Sequence, residues 1–304
     1  MHGHYASSKA MAKADLIIGI GVRFSDRATG DTEKFSKGAR KIQIDADFAE
    51  LGKNVDLELG CACDISDFLR KLIDAVDYKR NPNWMTKVDK LMEQEASQEY
   101  KNFLPRDAVR AAAAINDEDT DVVTDVGQHQ MWVAQYYDFK KKRTWISSGG
   151  LGTMGFGMGA AIGAAYGSKK RTVLFTGDGS FGMNLNELAT AVTYNVPVTI
   201  VLFNNGVLGM VRQWQTLFYN KAYSETTLDR KTDFVKLAES FGAKGFKAEN
   251  LDEFKEAFEE ASKAEGPVLI DLTIDKDDLV MPMMKPGGSF DRLILATEEE
   301  NRHE

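Results

Sequence analysis

Cysteine is scarce in this sequence: its 304 residues include two, Cys61 and Cys63. That count excludes a disulfide framework. The Cys-x-Cys spacing is read as sending the two thiols to opposite faces of a strand, so no bond between them is expected. Without partnering histidines or further cysteines they also make a poor zinc site. Reduced thiols fit a cytoplasmic setting. Long apolar runs are lacking too. No stretch reaches transmembrane length and no signal peptide is recognisable, so no membrane partner is expected. Clustered positive charge is the third absence. Lys and Arg number 38 against 46 Asp and Glu, for a net charge of −8, and the one basic run is Lys140 to Arg143. Such a run reads as a solvated loop, and nucleic acid is excluded as a partner. What is present is an apolar fraction of 43%, enough for ordinary cores, in a chain whose length suggests two compact units.

Strands alternate with helices along the chain, which predicts an α/β protein built on parallel sheets. Residues 1–77 read as a helix from Tyr5 to Lys13, strands over 15–20 and 41–45, and a helix from Ile65 to Val76 capped by Asp64. They are taken as the second half of a doubly wound, Rossmann-like domain, and the first strand is apolar enough to expect neighbours on both sides. Residues 78–104 read as a linking helix. Residues 105–284 form the second α/β unit, and 285–304 a loose tail.

Two polar clusters stand at strand ends in that second unit. Gly177-Asp178-Gly179-Ser180 follows the apolar run 171–176, and Asn204-Asn205 closes the run 198–203, with a helix expected between them from Asn186 to Tyr194. In an open parallel sheet, ligands bind at that edge. The Asp178 carboxylate, the Asn205 carboxamide and the Val207 carbonyl can hold Mg2+ through oxygen, with substrate phosphates completing the shell. The amides of Gly179 and Ser180, at a helix start, can hold phosphate oxygens. Asn-Asn-Gly is also good turn chemistry and, taken alone, reads as a turn. A competing pattern exists: Gly150-x-Gly152-x-x-Gly155 matches the dinucleotide fingerprint, with Asp178 at the end of the next strand. That pattern does not account for Asn204-Asn205, whereas a metal–diphosphate site accounts for both clusters.

Gly177-Asp178-Gly179 with Asn204-Asn205 resembles the thiamine diphosphate signature. Asp125-Val-Gly-Gln-His129, Ser148-Gly-Gly-Leu-Gly-Thr-Met-Gly155 and Gly209-Met-Val-Arg-Gln-Trp214 are similar to the large catalytic subunit of acetohydroxyacid synthase (acetolactate synthase). So are Gly21-Val-Arg-Phe-Ser-Asp-Arg27 and Ile44-Asp-Ala-Asp47. The resemblance implies a thiamine diphosphate enzyme that decarboxylates pyruvate and transfers the two-carbon unit to a second pyruvate or to 2-ketobutyrate. It implies Mg2+ on Asp178, Asn205 and Val207, and cofactor contacts from Gly127, Gln128, His129, Gly152, Thr153, Met154, Gly179, Ser180, Leu208, Gly209 and Met210. It implies a keto-acid pocket at Trp214, and FAD, held as a structural group, along Gly21, Val22, Arg23, Phe24, Asp45, Asp47 and Asp64. A homodimer or higher oligomer and a regulatory small subunit are implied as partners. The family's activating glutamate matches no residue here and belongs to a pyrimidine-binding domain outside these 304 residues. No carboligation is therefore expected from the chain alone. Another carboligase, a pyruvate oxidase-like enzyme, or a non-catalytic cofactor-binding module are the alternative readings.

Overall fold

The computed structural model describes residues 3–77, 79–97 and 102–295. The chain divides into two compact units, at residues 101/102 and 280/281, so that the first unit includes the segment after Val280.

In the first unit, α1 (Tyr5–Lys13) leads into β1 (Leu16–Ile20), the short α2 (Asp26–Thr29), β2 (Arg40–Asp45), β3 (Leu59–Ala62), α3 (Ile65–Ala75) and α4 (Pro82–Ala96). The three strands pair in parallel in the order β1-β2-β3. Among the described residues β1 pairs with β2 alone, and Ile18 and Ile20 are 47% and 37% exposed. Helix α4, expected as a linker, belongs to this unit. Its Glu95 carboxylate accepts the N–H groups of Tyr5 and Ala6 at 2.9 and 3.3 Å and so caps α1, while Leu91 is buried. Asp64 caps α3 as the sequence predicts, accepting the Asp67 N–H at 2.9 Å.

The thiols of Cys61 and Cys63 lie 3.4 Å apart. The expectation of opposite faces is wrong on physical grounds, because residues two apart on a strand share a face.

The second unit runs α5 (Leu104–Ile115), β4 (Val122–Thr124), α6 (Gln128–Tyr136), β5 (Trp145–Ser147), α7 (Phe156–Ser168), β6 (Thr172–Gly177), α8 (Asp178–Asn184), α9 (Leu188–Thr193), β7 (Val198–Asn204), α10 (Gly209–Phe218), α11 (Phe234–Phe241), β8 (Lys244–Ala248), α12 (Leu251–Ser262) and β9 (Val268–Thr273). Its six strands form one parallel sheet in the order β5-β4-β6-β7-β9-β8. The central strands read as continuous apolar runs because helices cover them on both faces: Val173, Leu174, Ile200, Val201, Leu202, Leu269 and Ile270 are buried almost completely. Helix α7 packs tightly at Gly157, whereas a Cβ on Gly159, Gly163 or Gly167 would meet nothing within 4 Å. A Cβ on Gly157 would lie 2.7 Å from Leu174 Cδ1 and 2.8 Å from Asp125 Oδ2.

Residues 281–284, expected in the second unit, group with the first, and residues 285–295, expected as part of a loose tail, include a strand. Met283–Met284 (β10) pairs antiparallel with Leu293–Ile294 (β11). Met284 and Phe290 join Phe24, Phe35 and Val55 in the core of the first unit. The expected acidic end, Glu298 to Glu300, lies outside the described residues.

Candidate functional site

Strand order decides where a ligand belongs. β4 connects through α6 outward to β5, while its neighbour β6 connects through α8 and α9 in the other direction to β7. The gap between β4 and β6 is therefore a topological switch point, open at the carboxyl ends of the strands. Gly127, Gln128 and His129 follow β4 there, and Asp178, Gly179 and Ser180 follow β6. The helix after β6 begins at Asp178 itself, eight residues earlier than the sequence suggests. Its N–H groups therefore start right at the strand end.

These groups line one cavity, of about 510 Å³ with its open mouth, together with Met154, Asn205, Val207, Leu208, Gly209 and Met210. Twelve of the fifteen expected cofactor, metal and substrate positions in this unit are thus brought together. Gly152, Thr153 and Trp214 are not among the lining residues. Gly152 and Thr153 are exposed in the loop after β5, and the Trp214 ring packs edge-on against Phe218 at 5.6 Å.

Asp178 is 4% exposed. Burial pushes its carboxyl up to about 6, against the opposing pull of the Gly179 and Gly206 N–H groups and of Arg230. The Gly206 bond ties the end of β6 to the turn after β7. In that turn Asn205 Oδ1 accepts the Val207 N–H at 3.1 Å, with Gly206 at φ +68. The turn reading of Asn-Asn-Gly and the ligand reading are thus compatible. The two asparagines separate in role: Asn204 Nδ2 donates to Asp271 at 2.9 Å, and Asn205 lines the cavity. Val207 pairs antiparallel with Thr227. The Leu228 N–H donates to the Gly206 carbonyl and the Leu208 N–H to the Thr226 carbonyl, each at 2.8 Å. In that pattern Val207's own carbonyl points away from Thr227. Among the described residues no three His, Cys, Asp or Glu side chains are grouped to hold a metal. One carboxylate, one carboxamide and one carbonyl are a set for a hard cation that keeps other oxygen ligands.

Opposite them, Gln128 is held by its amide: Nε2 donates to Gln213 Oε1 at 3.0 Å and to the Asp278 carbonyl at 2.7 Å. Its Oε1 has no partner, nor has His129 Nε2 or Trp132 Nε1, although all three are buried. Burial drives the His129 ring down to about 3, so it is neutral at physiological pH. Unpartnered buried polar atoms cost stability, and these three belong to residues that line the cavity. Gly179 and Gly209 keep it open: a Cβ on Gly209 would sit 2.0 Å from Gln128 Oε1, and one on Gly179 would sit 3.0 Å from Leu208 Cδ2.

The dinucleotide alternative fails on topology. Its loop follows β5, and Asp178 ends β6, but β4 lies between those strands; the fingerprint requires neighbouring strands. The start of α7 is also taken. Asp125, buried after β4, accepts the Gly155 N–H at 2.9 Å and the Gly157 N–H at 3.2 Å. Sequence reasoning assigned Asp125 no role, although its place at a switch-point strand end was a usable signal. Gln213 and Arg230, which donates to the Asp178 carbonyl at 2.8 Å, have no local signature.

In the first unit, Asp45 is the last residue of β2, and Gly21 and Asp64 follow the carboxyl ends of β1 and β3. Asp45 accepts the Asp47 N–H and Asp47 the Ala49 N–H, each at 2.9 Å. Val22 and Arg23 are exposed. The Phe24 ring, expected along FAD, instead faces the core, 5.9 Å from Phe35.

Asp278 gives a pH prediction. Burial, reinforced by Asp275 and Asp277, raises its carboxyl to about 7 from 3.8. A carboxyl with a raised folded pKa binds more protons folded than unfolded, so stability falls as pH rises from about 4 to about 7. Asp278→Asn should flatten that part of the profile by about 2 kcal/mol, with partial exposure discounted. Denaturant midpoints at pH 5 and 8 check this, and parallel profiles would refute it.

A pocket at the switch point of a parallel sheet, lined by Asp178, Asn205 and the start of α8, is where this fold class binds ligands, and two family models match the chain. Residues 1–72 match the thiamine pyrophosphate enzyme central domain, and residues 125–272 match the thiamine pyrophosphate enzyme C-terminal TPP binding domain. The chain belongs to the thiamine pyrophosphate enzymes. Within them it is similar over nearly its whole length to acetolactate synthase large subunits. The probable large subunit of Methanocaldococcus jannaschii is 40% identical over 97% of this chain and 52% of its own length. The isozyme 1 large subunit of Escherichia coli is 39% identical over 97% and 53%. The Lactococcus lactis large subunit is 39% identical over 99% and 53%. The chain spans about half the length of these relatives.

Proposed function

We propose that this chain supplies the diphosphate- and metal-binding half of the thiamine diphosphate site of an acetolactate synthase. The whole enzyme joins two 2-keto acids with loss of carbon dioxide: pyruvate with a second pyruvate or with 2-ketobutyrate. The observation that carries the reading is the set of buried, unpartnered polar atoms of Gln128 and His129 on residues lining the same cavity as Asp178, Asn205 and Val207. The residues fit the group. Asp178, Asn205 and the Val207 carbonyl would hold Mg2+, whose charge would offset that of the diphosphate. The N–H groups at the start of α8, with Gln128 and His129, would meet its oxygens. Met154 and Leu208, which approach Gly179, would support the cofactor's apolar part. Thiamine diphosphate supplies the electron sink for decarboxylation and carbon–carbon bond formation. The chain's own residues bind it, orient it and exclude water around its charged end.

Flavin along the carboxyl edge of β1–β3 and a Trp214 contact to the second keto acid belong to the same reading. So do assembly of two or more copies, a regulatory small subunit and a cytoplasmic location. No helix among the described residues is long and apolar enough to cross a membrane.

Trp132 lines the cavity, so its fluorescence should report binding. Thiamine diphosphate is expected to quench it saturably with Mg2+ present, and far more weakly with a chelator or with thiamine lacking phosphates. Equal response to thiamine and thiamine diphosphate would remove the diphosphate assignment. Acetolactate formation is then assayed in the whole protein.

A further inference from the structure

We propose that Cys61 and Cys63 form a reversible dithiol–disulfide site that exchanges with low-molecular-weight thiols and disulfides of the glutathione class. The geometry rests on β2. Cys61 lies in β3 opposite Ile44, and Cys63, one residue past the strand, donates its N–H to the Asp45 carbonyl at 3.0 Å. Both backbones are therefore held while the side chains turn to one side, where the sulfurs stand 3.4 Å apart. Closing to the S–S bond length of about 2.05 Å needs an approach of about 1.4 Å. Both cysteines are half-buried, so a small disulfide can reach them. No third cysteine exists in the sequence to compete within the chain. The ring closed by the bond holds one intervening residue, Ala62. So small a ring is strained, and strained disulfides are the readily reduced, exchangeable ones. Among the described residues β3 has a single strand neighbour, β2, which leaves it freer to adjust than a central strand.

The chemistry balances with glutathione disulfide as oxidant. One cysteine thiolate attacks a glutathione sulfur, which forms a mixed disulfide and releases one glutathione thiolate. The other cysteine thiolate attacks the protein sulfur of that mixed disulfide and releases the second. Two protein thiols become one disulfide, two electrons pass to glutathione, and the two protons end on the two glutathione thiols. The turn affected leads directly into Asp64, the cap of α3.

The test uses the full chain, native, in glutathione buffers of graded ratio, acid-quenched, alkylated and weighed intact. The expected product is lighter than the reduced chain by two hydrogens, resists alkylation, and reverts with dithiothreitol. Its equilibrium constant should be about tenfold or more larger in the native chain than in the chain unfolded by guanidinium, because the fold holds the sulfurs together. Cys61→Ser and Cys63→Ser should each stop at a glutathione adduct. A native chain that keeps two alkylatable thiols overturns the proposal. So does one that accumulates adducts or cross-linked dimers, or one that oxidises no more readily than the unfolded chain.

Discussion

Asp178→Ala is expected to weaken Mg2+-dependent binding of thiamine diphosphate by about a hundredfold or more. Asp178→Asn does nearly the same, yet raises the melting temperature of the cofactor-free chain. The two effects have one cause. Asp178 is the only carboxylate in the expected metal set, and burial lifts its carboxyl from 3.8 to about 6. Ionising it in the empty fold costs on the order of 1–3 kcal/mol, since each tenfold change in proton affinity corresponds to about 1.4 kcal/mol. The sign follows from the raised pKa. The penalty is absent below about pH 4 and complete above about pH 6, so at pH 7 the empty chain carries all of it. Asparagine keeps the shape and removes the penalty. A bound divalent cation removes it in the parent and adds attraction, so only the parent should gain stability from Mg2+ with the cofactor. Thermal melts of both chains, with and without Mg2+ and thiamine diphosphate, check this. A variant that binds with parental affinity would sink the metal assignment, and an empty variant that melts below the parent would sink the desolvation argument.

The parts of the site legible in the sequence were those where local chemistry and position coincide. Apolar runs of strand length ended in Gly-Asp-Gly-Ser and in Asn-Asn, and a parallel sheet brings strand ends together. The α/β class was legible for the same reason, because buried parallel strands read as unbroken Val, Ile and Leu. What stayed hidden was non-local or lay against propensity. The α8 start at Asp178 runs through Gly179 and Gly182, weak helix formers, and is held from outside by Arg230. The amide of Gln128 is fixed by Gln213 and Asp278, 85 and 150 residues away in sequence. Phe24 follows a Gly-x-Gly turn yet faces the core, in a cluster that Met284 and Phe290 complete from far along the chain, after the second unit. The dinucleotide decoy survived any reading by spacing, because only strand order separates β5 from β6.

That decoy loop also explains why Asp125 is the most exacting residue near the site. Its carboxylate is 1% exposed and sits at the start of α7. It accepts the Val126 N–H at 2.8 Å and the Gly155 and Gly157 N–H groups at 2.9 and 3.2 Å. Burial raises its carboxyl and those N–H groups oppose the rise; the positive end of the helix dipole also favours the charge. All three donors are backbone and cannot turn round. Asp125→Ala leaves them buried without a partner, at about 1–3 kcal/mol each, so a loss of about 3–5 kcal/mol of folding stability is expected. Asp125→Asn should be nearly as damaging, although it is the closest substitute in shape. Both carboxylate oxygens hold backbone donors, Oδ1 those of Val126 and Gly155 and Oδ2 that of Gly157, so one end of the asparagine amide must turn its NH2 toward a donor. Met154 precedes the capped turn, so thiamine diphosphate affinity should fall by about tenfold even where the variant still folds. Guanidinium denaturation of the parent, Asp125→Asn and Asp125→Ala measures the first effect. Stability of Asp125→Asn close to the parent would mean that shape rather than charge and donor direction holds the loop. The near equality of the two variants therefore distinguishes a carboxylate that only fills space from one that caps a glycine helix against the cofactor site.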